Sequence, residues 1–118
     1  MVQNETGEKF GAILLRLGHI NEESIATMMS RQLQIPLIRV EEEEIDEEVA
    51  RSVKREMAEK ALAIPMRRSQ YGVLVAMADP LDMESINRLE AHFGENVDPL
   101  VAIESEILRV IDRVYPAA

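Results

Sequence analysis

The fold is decided by residues 71–103, which read YGVLVAMADPLDMESINRLEAHFGENVDPLVAI. An apolar strand opens this stretch and ends at Asp79-Pro80, because proline cannot donate to a strand ladder. Asp82 is the expected N-cap of a helix that stops at Gly94, and a second strand follows over 97–103. Strand–helix–strand units of this kind form right-handed crossovers, so the segment predicts two parallel strands joined by a helix.

The first strand of this unit is apolar on both of its faces. Its residues alternate between the sets Val73, Val75, Met77 and Leu74, Ala76, Ala78. A strand of this composition is covered on both sides. We therefore expect Val75 to lie at the centre of a sheet.

The flanking segments add one strand and several helices. Residues 63–69 (AIPMRRS) predict a strand that turns at 69–72 into the central one, and residues 36–40 (PLIRV) predict another short strand. Two short helices carry the apolar stripe Val49, Val53, Met57 and Ala61. A last helix runs from Glu104 to Tyr115, with its inward side predicted to be Ile107, Leu108, Ile111 and Val114.

The first third of the chain predicts a helical hairpin. Phe10, Ile13, Leu14 and Leu17 have helical spacing and precede Gly18, and Asn21 can cap the next helix. The expected fold class is therefore α+β: an N-terminal helical hairpin followed by a small sheet of about three to four strands covered by helices. We expect a single domain over 1–118, with a helical piece at 1–35 and an α/β part at 36–118.

Composition restricts the possible functions. The chain has 118 residues and a net charge of −9. It has no cysteine, and this excludes disulfides, thiolate nucleophiles and cysteine-ligated zinc. An acidic field repels DNA and RNA. Neither a signal peptide nor an apolar run of about 18 residues is present, so we expect a cytoplasmic protein without direct membrane insertion.

The sequence contains no recognisable catalytic set. Phosphate-binding loops, zinc-protease motifs and nucleophile elbows are all absent from it. The two histidines, His19 and His92, read as surface residues, and Asp79 and Asp82 are explained by a turn and a helix cap. We therefore expect a non-enzymatic binding protein with no cofactor and no metal.

Charged clusters offer two interpretations. The acidic run at 41–48 could hold a cation or a basic partner, but a solvated loop that leads into a helix N-terminus explains it better. The basic clusters Arg51/Lys54/Arg55, Arg67/Arg68 and Arg109/Arg113 lack interleaved aromatic residues, so they predict solvated faces.

Taken together, several phrases resemble the N-terminal domain of the type II secretion and type IV pilus assembly ATPases. The core phrase is VAMADPLD, followed by a helix, the strand V-x-P at 97–99, then E-x-E-I at 104–107 and a terminal tyrosine. Upstream, G-x-I-L-L-x-L-G-x-I-x-x-E-x-I, I-P-L-I and I-D-E-E-V match as well. The resemblance covers about residues 9–115 and departs at Lys54, where the family tends to have proline.

That resemblance implies a non-catalytic adaptor. In the family this domain precedes the ATP-hydrolysing motor and docks it onto the cytoplasmic domain of an inner-membrane platform protein. Because nothing follows Ala118 in the sequence, we expect the motor to be absent from this chain, which is either an excised or a free-standing domain. We also expect a monomer or weak dimer. Leu15 lies off the apolar stripe of the first helix, so it either packs under a neighbouring loop or is the docking anchor. Glu41, Glu42 and Glu43 are expected to supply long-range attraction.

An alternative role follows from a second motif. A subset of the family binds cyclic di-GMP through two successive copies of a motif that starts R-L-G and ends in Gln. One copy is similar to residues 9–32, where Lys9, Gly11, Gly18 and Gln32 would bind the nucleotide. Lys9 replaces the arginine, whose planar group could stack on guanine and bond it through two donors, and too few residues precede Lys9 for a first copy.

Overall fold

The central β-sheet has three strands in the order β1-β2-β3. The structure is a computed structural model that describes residues 21–115. β1 (Ala63–Ser69) pairs antiparallel with β2 (Gly72–Met77), and β2 pairs parallel with β3 (Val97–Val101). The predicted hairpin turn at 69–72 and the parallel pair are both present.

Five α-helices surround this sheet in the described part of the chain. They are α1 (Glu22–Leu33), α2 (Glu47–Arg51), α3 (Arg55–Ala61), α4 (Met83–Phe93) and α5 (Glu104–Val114). A short 3-10 helix, Val40–Glu42, lies between α1 and α2. The α+β fold class is confirmed, whereas the predicted helix over Phe10–Leu17 lies outside the described residues.

Local signals set the ends of the helices. Asn21 accepts the Ser24 amide at 2.8 Å at the start of α1, and Asp82 accepts the Ser85 amide at 3.2 Å at the start of α4. Gly94 ends α4 with φ of +67°, a conformation that glycine adopts without strain. Lys54 begins α3 with φ of −65°, the value that proline fixes. The break between α2 and α3 therefore persists although lysine stands where the family tends to have proline.

The sheet is covered on both faces, as the composition of β2 predicts. Ala76 belongs to a core cluster that includes Ile64, Ile107 and Ile111, whereas Val75 belongs to a second cluster on the other side of the strand. The Val75 side chain is fully buried, which confirms its expected central position.

The outer edge of β3 is closed to further pairing over most of its length. The Val97 amide donates to Glu90 Oε2 at 3.0 Å, Pro99 has no amide hydrogen, and the Val101 amide donates to the Pro36 carbonyl at 2.9 Å. The strand predicted over 36–40 is reduced to a single bridge between Leu37 and Val101. Because it pairs only at this bridge, it protects the edge without adding a fourth strand.

A close backbone approach fixes the start of β2. Gly72 has φ of +136°, and a Cβ atom there would lie 2.2 Å from the Asn96 carbonyl oxygen. The neighbouring Val73 amide donates to that same oxygen at 2.8 Å. Glycine is therefore required where the hairpin meets β3.

Tyr115, which directly follows α5, joins this helix to the break between α2 and α3. Its buried hydroxyl lies 2.8 Å from the Ala50 carbonyl oxygen and 2.6 Å from that of Val53. Burial raises the pKa of this phenol, and the nearby Arg55 acts in the opposite direction. The terminal tyrosine in the sequence thus has a structural role as a capping donor.

The prediction that Leu108 lies on the inward side of α5 is wrong. Leu108 is 38% exposed, whereas Val110 is 1% exposed and belongs to the core. Val110 lies three residues after Ile107 and four before Val114, so both share its side of the helix. Helical spacing alone does not decide which of several neighbouring apolar residues is buried, because that depends on the elements packed around the helix.

Candidate functional site

The acidic segment at 41–48 is tied to the domain by its own ion pairs. Arg109 donates from Nε and Nη2 to the Glu41 carboxylate at 3.0 and 2.9 Å, and Arg113 donates to the Glu41 carbonyl at 3.3 Å. The hydrogen bond from Arg109 lowers the pKa of Glu41, and the same contact raises the pKa of Arg109. Glu43 lies 3.6 Å from Arg67, while Glu42 is exposed.

The rest of the acidic segment starts a helix, as expected. Asp46 accepts the amides of Glu48 and Val49 at the beginning of α2, at 3.1 and 3.4 Å. Glu47 pairs with Arg51 one turn later. Among residues 21–115, no group of three or more histidine, aspartate or glutamate side chains could hold a metal ion.

Most members of the basic clusters meet carboxylates on other elements. Arg55 pairs with Asp112 and Arg68 pairs with Glu95, the latter at 2.8 Å. Exposed ion pairs of this kind contribute little to stability. Most of these basic side chains are exposed, so the clusters lie on solvated faces, as the sequence predicts.

The helix α1 displays the described end of the possible nucleotide motif. Gln32 is exposed next to Arg31, and both line an open pocket of about 610 Å³ on α1 with Thr27 and Met28. Ile25 is buried, and Met29 is half-buried. Sequence reasoning missed Arg31, although its place beside Gln32 in the last turn of α1 could have indicated it. Lys9, Gly11, Gly18 and the docking residue Leu15 lie outside the described residues.

Ser52 and His92 form the one contact that resembles a catalytic pair in the described part of the chain. The Ser52 Oγ lies 3.1 Å from His92 Nε2, but its hydroxyl donates to the Val49 carbonyl at 2.8 Å. When its single proton is donated to this carbonyl, Ser52 Oγ can only accept a hydrogen bond from the imidazole, which is not the arrangement of an activated nucleophile. The contact joins the C-terminal ends of α2 and α4.

The two aspartates of the ADPLD phrase are structural. Asp79 accepts the Leu81 amide at 3.0 Å, and Asp82 accepts both the amide and the hydroxyl of Ser85, the latter at 2.7 Å. Both roles are those predicted from the sequence.

Within residues 21–115, no helix has the length and apolar character needed to cross a bilayer.

A network between α1 and α5 was not foreseen. The Glu22 carboxylate accepts the Ser105 amide at 3.0 Å and the Ser105 hydroxyl at 2.7 Å. Arg39 connects Glu23, at 3.1 Å, to the buried Glu106, at 2.9 Å. Sequence spacing carries no signal for these contacts, since the paired residues are up to 83 positions apart.

Comparison with known proteins gives a consistent result. Residues 33–118 match the family model described as the MshEN domain. The chain is 30% identical over 113 residues to the type IV pilus assembly ATPase PilB of Myxococcus xanthus, in an alignment that covers 96% of the chain and 20% of PilB. It is 29% identical over 114 residues to PilB of Thermus thermophilus, with 95% and 13% covered. The chain thus spans a fifth or less of these curated relatives.

Solved structures share the fold. The structure of MshE with cdg superposes with a TM-score of 0.79 at 24% identity, covering 96% of this chain and 82% of that one. The N-terminal domain of XpsE superposes with a TM-score of 0.77 at 24% identity, covering 96% and 79%. At 24% identity, these comparisons show a shared fold.

Proposed function

The chain belongs to the MshEN domain family, and from that premise we propose that it is a non-catalytic adaptor that docks a secretion or pilus assembly motor onto its inner-membrane platform. The observation that carries the proposal is homology to the N-terminal region of the ATPases PilB, MshE and XpsE. That region is separate from the domain that hydrolyses ATP. The commitment of the Ser52 proton to a backbone carbonyl agrees with a binding role.

The proposed partner is the cytoplasmic domain of an inner-membrane platform protein. The adaptor is a cytoplasmic single domain over 1–118 that reaches the membrane only through this partner, as a monomer or weak dimer. It binds neither DNA nor RNA, because its net charge is −9 and most members of its basic clusters are paired with carboxylates.

An apolar anchor supplies most of the docking affinity in this proposal. Glu41 and Glu43 already have arginine partners, so they add less attraction than their number implies, and Glu42 retains an exposed carboxylate. Exposed charges mainly affect the association rate, whereas a desolvated apolar side chain affects dissociation. Leu15 is the proposed anchor.

The test is biolayer interferometry between the purified chain and the cytoplasmic domain of the platform protein from the same organism. We expect Leu15→Glu to abolish binding with an unchanged melting temperature, and Glu42→Gln to lower only the association rate at low salt. Leu108→Glu is the matched control, because it makes the same substitution at an exposed leucine of α5. Absence of binding by the unaltered chain would overturn the adaptor function, as would ATP turnover that an alanine substitution in the chain abolishes.

A second candidate function is sensing of cyclic di-GMP. The observation that favours it is the exposed pair Arg31 and Gln32 beside an open pocket on α1, in a chain whose fold is similar to that of MshE, solved with cdg. Arg31 provides the planar donor group that Lys9 lacks. Calorimetric titration with cyclic di-GMP decides between the roles.

Heat of binding lost in Lys9→Ala, Arg31→Ala or Gln32→Ala would place sensing first. Gln70→Ala is the control, because Gln70 is an exposed glutamine in the hairpin turn. No heat with the unaltered chain would remove the sensing role and leave the adaptor role intact.

A further inference from the structure

We propose that α1 is a releasable strap, held on the α/β part by a polar latch made of Glu22, Glu23, Arg39, Ser105 and Glu106. The latch is a property of the chain itself and does not depend on which partner the domain binds. It makes the position of α1, which carries the exposed Arg31 and Gln32, conditional on a few charged contacts.

Apolar packing between α1 and the α/β part is small. Only Ile25 and Ala26 of α1 are buried. Ala26 belongs to a minor cluster with Val101 and Ile103, against which Ile35 and Leu37 pack. The two larger clusters, on either face of the sheet, contain no residue of α1. Release of α1 therefore leaves the main core intact, which is the condition for local opening below the global unfolding free energy.

The first polar contact of the latch is a helix cap supplied by another helix. The N-cap residue of α5 is Ile103, whose side chain cannot accept a hydrogen bond. Glu22 of α1 takes this role by accepting from the amide and hydroxyl of Ser105. A carboxylate at a helix N-terminus is favoured by the unpaired amides and the helix dipole. Docking of α1 thus completes α5, and water replaces the cap when α1 leaves.

The second contact is an ion pair with one buried member. Glu106 is 3% exposed, and Arg39 pairs with only one of its oxygens, at 2.9 Å. The other oxygen has no hydrogen-bond partner among the described residues. Burying a carboxylate with incomplete pairing costs about as much as the pair returns. Glu106 lines a pocket of about 300 Å³ together with Asn21 and Glu23, so withdrawal of α1 gives its carboxylate access to water.

Because the cost of burying Glu106 opposes the gain from its ion pair with Arg39, the free energy that holds α1 in place is small and sensitive to salt. Arg39 is half exposed and also holds Glu23 at 3.1 Å, so a single arginine connects both helices. Screening weakens the exposed Arg39–Glu23 pair as ionic strength rises, and the buried Glu106 pair less so. A ligand that contacts α1 only when it is docked would close the latch, whereas one that needs Ile103 or Val101 would open it.

The experiment is hydrogen exchange measured by mass spectrometry on the full chain at low and high sodium chloride. We expect the amides of α1 to exchange faster than those of β2, and the difference to grow with salt. Arg39→Gln should raise exchange in α1 about tenfold or more, the factor that corresponds to a loss of about 1.4 kcal/mol, and should leave β2 unchanged. Ser105→Ala should raise it less, since only the hydroxyl contact is lost.

Arg88→Gln is the matched control, because it removes an exposed ion pair of 2.8 Å with Glu84 inside α4. It should leave exchange in α1 unchanged. The salt series on the unaltered chain keeps the test decisive if Arg39→Gln does not fold. Equal exchange of α1 and β2 at every salt concentration would overturn the proposal, as would an Arg39→Gln effect equal to that of the control.

Discussion

Replacement of Tyr115 by phenylalanine tests how the C-terminal helix is joined to the rest of the domain. The change removes one hydroxyl and leaves the ring packed. The Ala50 carbonyl keeps the amides of Ser52 and Val53 as donors, so the principal loss is the 2.6 Å contact to the Val53 carbonyl. A buried carbonyl without its donor costs about 1–2 kcal/mol. For a domain of this size that corresponds to a melting temperature lower by about 4–8 °C.

The assay is thermal and urea unfolding followed by circular dichroism at neutral pH. Tyr71→Phe is the matched control, because Tyr71 is the only other tyrosine and is 71% exposed. We expect the control to change the unfolding free energy by less than about 0.5 kcal/mol. Equal stability of the two variants would refute the capping role of Tyr115.

The pH dependence gives a second check on the same residue. Burial raises the pKa of the folded Tyr115 phenol above the value of about 10 in the unfolded chain. The resulting stabilisation is fully present below about pH 10 and is lost as the pH rises through the folded-state pKa. The difference in unfolding free energy between the unaltered chain and Tyr115→Phe should therefore shrink above about pH 10. A difference that stays constant through this range would contradict the assigned burial of the phenol.

Three further substitutions test the sheet and the helix break. Val75→Asp places an unpaired carboxylate in the fully buried centre of β2, so the variant should give no cooperative melting transition. Gly72→Ala forces a Cβ atom to within 2.2 Å of the Asn96 carbonyl and should lower the urea midpoint by more than the usual surface substitution. Lys54→Pro should raise stability by about 0.4–1 kcal/mol, because φ is already −65° and the Lys54 amide donates to no backbone carbonyl within residues 21–115. A cooperative Val75→Asp melt, a neutral Gly72→Ala or a destabilised Lys54→Pro would each contradict the backbone geometry described.

Part of the candidate site followed from the sequence and part did not. The roles of Asp79 and Asp82 in a turn and a cap were predicted, because those contacts reach only two or three residues along the chain. The acidic segment was correctly predicted to lead into a helix. The pairing of Glu41 with Arg109 was not predictable, since 68 residues separate them. Whether Glu41, Glu42 and Glu43 attract a partner stays a prediction.

The sequence by itself determined the α+β class, the strand–helix–strand unit over 71–103 and most helix ends. Periodicity, caps and glycine positions act over a few residues, so their physical effect can be read locally. Only the tertiary structure decided that Val110 rather than Leu108 is buried, that residues 36–40 form a bridge instead of a strand, and that Glu22 caps α5. Each of these depends on which distant element fills the available space or supplies the missing hydrogen-bond partner, and local sequence patterns carry no information about that element.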